Sequence, residues 1–182
     1  MQLSLDVVVF VPVGEAPHRT IEQDPGAEAR FTMCEYATSA DARFAVSRIE
    51  IERPGPSYTV ETLRSLRSSV GAEDELFLIL GGDQAAALPD WHEPEEVLGL
   101  ATAAVVERAE HRRADIAERV RSICGDDRAV FFAMPRVDVS STLVRRRASA
   151  GLPIRYLVPD KVANYIGAQS LYSSSAPVGV GA

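Results

Sequence analysis

Residues able to do chemistry gather most densely at Ser140-Ser141-Thr142-Leu143-Val144-Arg145. The run follows an apolar stretch, 129–134, that reads as a strand, and it opens a stretch, 143–150, that reads as a helix stopped at Gly151. A helix start leaves backbone N–H groups without partners and carries the positive end of the macrodipole. Two serines and a threonine add hydroxyl donors there, and Arg145 and Arg146 add fixed positive charge. That set suits an anion, above all a phosphate chain. The same residues also describe an ordinary cap, with Ser140 or Ser141 closing the helix and the arginines solvated.

Three further groups stand just past strand-like runs: Pro17-His18-Arg19, Gly81-Gly82-Asp83 and Arg108. Each has a bland reading alone: a loop, a tight turn with Asp83 as N-cap, a solvated charge. The elements that must position them alternate. The run 6–13 (DVVVFVPV) is β-branched and apolar on both faces, the pattern of a parallel strand covered on both sides. Asp24-Pro25 offers an N-cap and N1 proline for a helix to about residue 40. Residues 44–51 alternate like a strand, and Val60, Leu63, Leu66 and Val70 form a helical stripe from about Thr59. Strands are expected at 75–80, 101–106 and 129–134, with helices around Ile116, Val120 and Ile123 and over 160–167. This order predicts a three-layer α/β fold with a parallel sheet, in which ligands bind past the carboxyl ends of the strands. Residues 1–172 are expected to form one domain, followed by a tail, 173–182, without periodicity and expected to be disordered.

The 182 residues carry a net charge of −7, which argues against a general nucleic-acid or anionic-membrane surface. A phosphate ligand must therefore be held locally. No apolar stretch is long enough to span a bilayer and no signal peptide is evident, so a cytoplasmic location is expected. Cys34 and Cys124 lack metal-ligand spacing and read as buried free thiols.

In order, VVVFVPVGEAPHR, SRIEIERPGPSYTVETLRSL, LFLILGGDQAAALPDWHEPEEVL, VVERAE, VDVSSTLVRRR and IRYLVPDKVANYIGAQSLY cover residues from about 5 to 172. The set resembles bacterial nicotinate-nucleotide adenylyltransferase, of the nucleotidylyltransferase superfamily. The resemblance implies a Rossmann-like fold and the transfer of AMP from ATP, accompanied by Mg²⁺, to nicotinate mononucleotide. It implies that Ser140, Ser141, Thr142 and Arg145 cradle the ATP phosphates, with Arg145 catalytic. It sets Gly81 and Asp83 near the adenosine ribose and Arg108 on the ATP side. Tyr58, Thr59 and Thr62 would line the nicotinate pocket, Trp91 would stack on the pyridine ring, and Arg19 would face the mononucleotide phosphate. As a bland alternative, Trp91 is a core or rim anchor. Another acceptor, such as phosphopantetheine, is the remaining transferase alternative.

One family motif has no counterpart in this sequence. The first strand and loop of the family carry GGxFDPxHxGH, and His18, His92 and His111 show no HxGH spacing. The family lysine of PPHK is Arg19 here, which keeps charge but not the geometry of an ammonium. In the family's fold that first strand is central, between the strands matching 6–13 and 75–80. Dry unpaired ladder groups cost roughly 1–3 kcal/mol each, so an upstream segment outside residues 1–182 is expected, through a misassigned start or a truncated product. The alternative is a mononucleotide-binding relative that has lost the chemistry. Catalysis by residues 1–182 as they stand is expected to be absent.

Overall fold

The computed structural model describes residues 3–17, 24–107, 113–125 and 128–173. The chain forms two compact units. Unit 1 comprises Met1–Leu5 and Gly55–Arg136, and unit 2 comprises Asp6–Pro54 and Val137–Ala182. All strand pairing within the described sheets is parallel. Of the expected tail, all but Ser173 lies outside the described residues.

Unit 1 contains helix α3 (Thr59–Ser69), strand β3 (Phe77–Gly81), helix α4 (Gly82–Ala86), a 3-10 turn (Leu88–Asp90) and helix α5 (Pro94–Leu100). Strand β4 (Thr102–Glu107), helix α6 (Arg113–Cys124) and strand β5 (Ala129–Ala133) complete it. Sheet order is β3-β4-β5. The register aligns Leu78 with Ala103 and Ala129, and Leu80 with Val105 and Phe131. Aligned residues share a face, and these six line one core with Leu88, Leu98, Ile116 and Val120. A second core joins Val60 and Leu63 of α3 to Val97 and Ala101. Truncating fully buried Leu98 should cost about 2–5 kcal/mol.

Unit 2 contains strand β1 (Val8–Phe10), helix α1 (Ala27–Thr38), strand β2 (Phe44–Val46) and helix α2 (Ile49–Glu52). It closes with helices α7 (Ser141–Ser149) and α8 (Asp160–Ala168). β1 pairs with β2 in a two-stranded sheet. Its core is Val144, Ile154, Val162 and Ile166, with Met33, Leu157 and Tyr172 packed against them.

Several sequence expectations are corrected here. The run 6–13 is a strand only over Val8–Phe10, and Val9 and Phe10 are exposed, so it is not covered on both sides. A two-stranded sheet offers β1 one ladder neighbour, and among the described residues β3 likewise pairs only with β4. Helix α1 starts at Ala27, not at Pro25, because Gly26 adopts φ 89° and Asp24 accepts its N–H at 2.9 Å. The alternation of 44–51 is part strand and part helix. After Val46, Ser47 donates its N–H to Phe10 at 2.9 Å, and Ile51 then bonds back to the Arg48 carbonyl at 2.8 Å. A short Ile-Glu alternation fits both periods, so pattern alone cannot choose. Cys34 and Cys124 are free thiols but half-buried, and burial pushes the Cys34 thiol up from its ordinary value.

Candidate functional site

In unit 2, α7 begins where it does because Ser140 is extended (φ −119°, ψ 153°) and its Oγ accepts the Leu143 N–H at 3.1 Å. The Ser140 carbonyl accepts the Val144 N–H at 3.1 Å, the first turn of the helix. Such a cap contributes about 1 kcal/mol. The ordinary reading of Ser140 is thus correct as far as it goes, and its own O–H remains able to donate. Ser141, Thr142 and Arg145, spaced by three and four, share a helix face. Val144, beside Arg145, is buried in the unit 2 core and fixes the rotation of the helix. Ser141 and Thr142 stay exposed, and the Arg145 Nη2 donates to the Thr142 Oγ1 at 3.4 Å. The arrangement is a helix N-terminus with hydroxyls and a guanidinium held on one side, able to receive an anion.

Two residues of this unit carried no signal in the sequence. Arg30 of α1 pairs with Asp24 and donates through Nη2 to the carbonyls of Val13 and Gly14, at 2.7 and 3.2 Å. It fastens the segment leaving β1 to α1, a contact between residues 16 and 17 positions apart that no local pattern announces. Tyr172 packs on the core, and burial holds its phenol above the ordinary value while Arg145 and Arg30 pull it down. Those guanidiniums therefore lie within electrostatic reach of Tyr172. His18 and Arg19 lie outside the described residues.

In unit 1, Tyr58 is extended (φ −80°, ψ 135°) before α3, and its own side chain makes no capping hydrogen bond. Thr59 opens it. Thr62 is buried, its hydroxyl donating to the Tyr58 carbonyl at 3.4 Å, so it braces Tyr58 from within the helix. Trp91 follows the 3-10 turn, its N–H donating to the Leu88 carbonyl at 3.1 Å. It is half-buried against the Leu88 and Leu98 core, so it is an anchor that leaves part of its surface open. The Tyr58 ring lies 4.4 Å from that of His92 at 36°, which brings the start of α3 to the segment following Trp91. The His92 Nε2 is 3.2 Å from a Glu93 carboxylate oxygen. Sequence reasoning did not single out His92 in this role; its place beside Trp91 was the available signal.

Gly81 ends β3, and the chain enters α4 at once. Gly81 has φ −73° and ψ 155°, so the tight turn, the bland reading of Gly81-Gly82, is absent. A Cβ at Gly81 would meet nothing within 4 Å. Neither backbone conformation nor packing among the described residues demands glycine here. Asp83, in the first turn of α4, is exposed. Arg108 lies outside the described residues, just past β4. Among the described residues no group of three or more His, Cys, Asp or Glu side chains could hold a metal ion, and no helix is long and apolar enough to cross a membrane.

Residues 1–147 match the cytidylyltransferase-like family model. Two relatives each bear the name "Probable nicotinate-nucleotide adenylyltransferase". That of Tropheryma whipplei (strain Twist) is 41% identical over 170 residues, 93% of this chain and 86% of its own length. The chain belongs to this family. The relative from Salinispora arenicola is 39% identical over 171 residues, 94% of this chain and 88% of its own length. The fold agrees. A Plasmodium falciparum nicotinic acid mononucleotide adenylyltransferase complexed with NaAD superposes with a TM-score of 0.69 over 92% of this chain and 82% of that one, at 14% identity. The same protein complexed with APC gives a TM-score of 0.67. The family is one of nucleotidyltransferases, and the fold is the Rossmann-like α/β fold of that superfamily.

Proposed function

We propose that this protein transfers the adenylyl group of ATP to nicotinate mononucleotide, giving nicotinate adenine dinucleotide and pyrophosphate in the cytoplasm. The observation that supports this most is the start of α7, where Ser141, Thr142 and Arg145 share a face on a helix N-terminus closed by Ser140. In this reading a phosphate oxygen of the mononucleotide attacks the α-phosphorus in line. The new P–O bond forms as the bond to the pyrophosphate oxygen breaks, and no covalent enzyme intermediate is needed. The acceptor oxygen is already ionised near neutral pH, so the task is positioning and charge stabilisation.

Ser140, Ser141, Thr142 and Arg145 hold the triphosphate, and Arg108 is a further ATP-binding residue. Gly81 and Asp83 meet the ribose. Tyr58, Thr59, Thr62 and Trp91 hold the nicotinate, and Arg19 faces the acceptor phosphate. ATP enters as its magnesium complex, so the cation is part of the substrate. Gly81→Ala should leave thermal stability within about 0.5 kcal/mol, because the added methyl meets open space. The same change should weaken ATP binding severalfold, read by calorimetry. Unchanged ATP affinity would remove Gly81 from the nucleotide site.

A second reading is nucleotide binding without turnover, favoured by the lack of an HxGH pattern in residues 1–182. Pyrophosphate release decides between them, measured on the protein expressed from its complete reading frame. Release that requires both ATP and nicotinate mononucleotide supports transfer. Binding of both without release supports the second reading, and binding of neither overturns both.

A further inference from the structure

In unit 1, Arg64 engages three carboxylates and stands outside the candidate site residues. It projects from α3, the helix opened by Tyr58 and Thr59. Its Nε donates to a Glu96 carboxylate oxygen at 2.7 Å, and its Nη2 reaches the other Glu96 oxygen and Glu93. Its Nη1 pairs with Glu61, one turn back on the same helix. The Glu96 contact is a two-pronged guanidinium–carboxylate pair, the geometry arginine makes and lysine cannot. The Arg64 guanidinium holds the Glu96 carboxyl below its usual range.

What this clamp fixes is the chain just after Trp91. Glu93, two residues on, sits in the left-handed region at φ 51° and ψ 57°, a conformation that only surrounding contacts sustain in a non-glycine residue. Arg64 is one of those contacts. His92, between Trp91 and Glu93, meets both the Tyr58 ring and the Glu93 carboxylate. Arg64 thus ties the helix that carries Tyr58, Thr59 and Thr62 to the turn that carries Trp91. Three carboxylates converge on one guanidinium, so removing it would leave Glu61, Glu93 and Glu96 repelling one another where the turn must hold its shape.

We infer that Arg64 is a positioning residue for the pyridine-mononucleotide pocket, setting the separation between the Tyr58 end of α3 and the Trp91 turn through Glu93 and Glu96. This rests on the reading that those residues hold the acceptor. Steady-state kinetics on the protein from its complete reading frame test it, alongside acrylamide quenching of Trp91, the single tryptophan. Arg64→Gln should raise KM for nicotinate mononucleotide roughly tenfold, with KM for ATP and kcat little changed. It should also make the unliganded Trp91 more accessible to acrylamide. Arg64→Lys should recover only part of the loss. Adding Glu93→Gln and Glu96→Gln to Arg64→Gln should recover part of it too, by removing the repulsion. An Arg64→Gln enzyme with unaltered mononucleotide KM and unaltered quenching overturns the inference. Equal loss toward both substrates also overturns it, since that would mark a general role in folding. If Trp91 in the wild type does not respond to the mononucleotide at all, the pocket reading itself fails, independently of Arg64.

Discussion

Arg145→Ala is expected to lower the rate of adenylyl transfer by about 10²-fold or more, the usual loss when one donor aimed at developing charge is removed. The expectation follows from α7. Val144 is locked in the core, which fixes the direction of Arg145 beside the exposed hydroxyls of Ser141 and Thr142. In the transition state charge spreads over the α-phosphate and the departing pyrophosphate, and a guanidinium at a helix N-terminus answers it without rearrangement. Arg145→Lys should recover only part of the rate, because an ammonium cannot span two phosphate oxygens with a planar fork. Folding should survive, since the Ser140 cap and the Val144 contact are untouched. Turnover is measured under saturating substrates, with thermal unfolding as the control. Near-normal turnover in the alanine variant would take Arg145 out of the site.

Trp91→Ala should weaken nicotinate mononucleotide binding by roughly 1–2 kcal/mol, about 5–30-fold in Kd, while ATP binding changes little. Trp91 is half-buried, so part of its ring serves the Leu88 and Leu98 core and part is open to stack. Trp91→Phe keeps both functions in reduced form and should fall between the wild type and alanine. Because the chain has a single tryptophan, its fluorescence reports the site directly, and the mononucleotide should quench it. Equal losses for both ligands would mean that Trp91 only supports the fold.

The parts of the molecule legible in the sequence were those with a long, unambiguous period. The stripe Val60, Leu63, Leu66 gave α3, and the apolar runs near 75, 101 and 129 gave β3, β4 and β5. Short segments were harder. Residues 49–52 form a helix inside what reads as a strand, because four residues of Ile-Glu alternation satisfy either geometry. The helices between Gly82 and Leu100 went unread, each being too short to show a face. Ser140 as a cap was legible from its type and place. Arg30 and Arg64 were not, since Arg30 also reaches Val13 and Gly14, 17 and 16 residues away, and Arg64 reaches Glu93 and Glu96, 29 and 32 away, and a charge run in one sequence does not name such distant partners. Gly81 was noticed for its place at a strand end and expected near the ribose; the bland reading as a turn glycine fails, since it stands in extended backbone with open space where a side chain would go.

The central claim is that the bond broken in ATP joins the α- and β-phosphates and that the adenylyl group ends on the mononucleotide. Isotope tracing tests it most directly, on the protein expressed from its complete reading frame. ATP labelled at the α-phosphorus should deliver its label to nicotinate adenine dinucleotide, while label at the γ-phosphorus should appear only in pyrophosphate. CTP labelled at the α-phosphorus should transfer little. Label from the γ-position on the acceptor, efficient transfer from CTP, or no labelled dinucleotide from ATP would contradict the account.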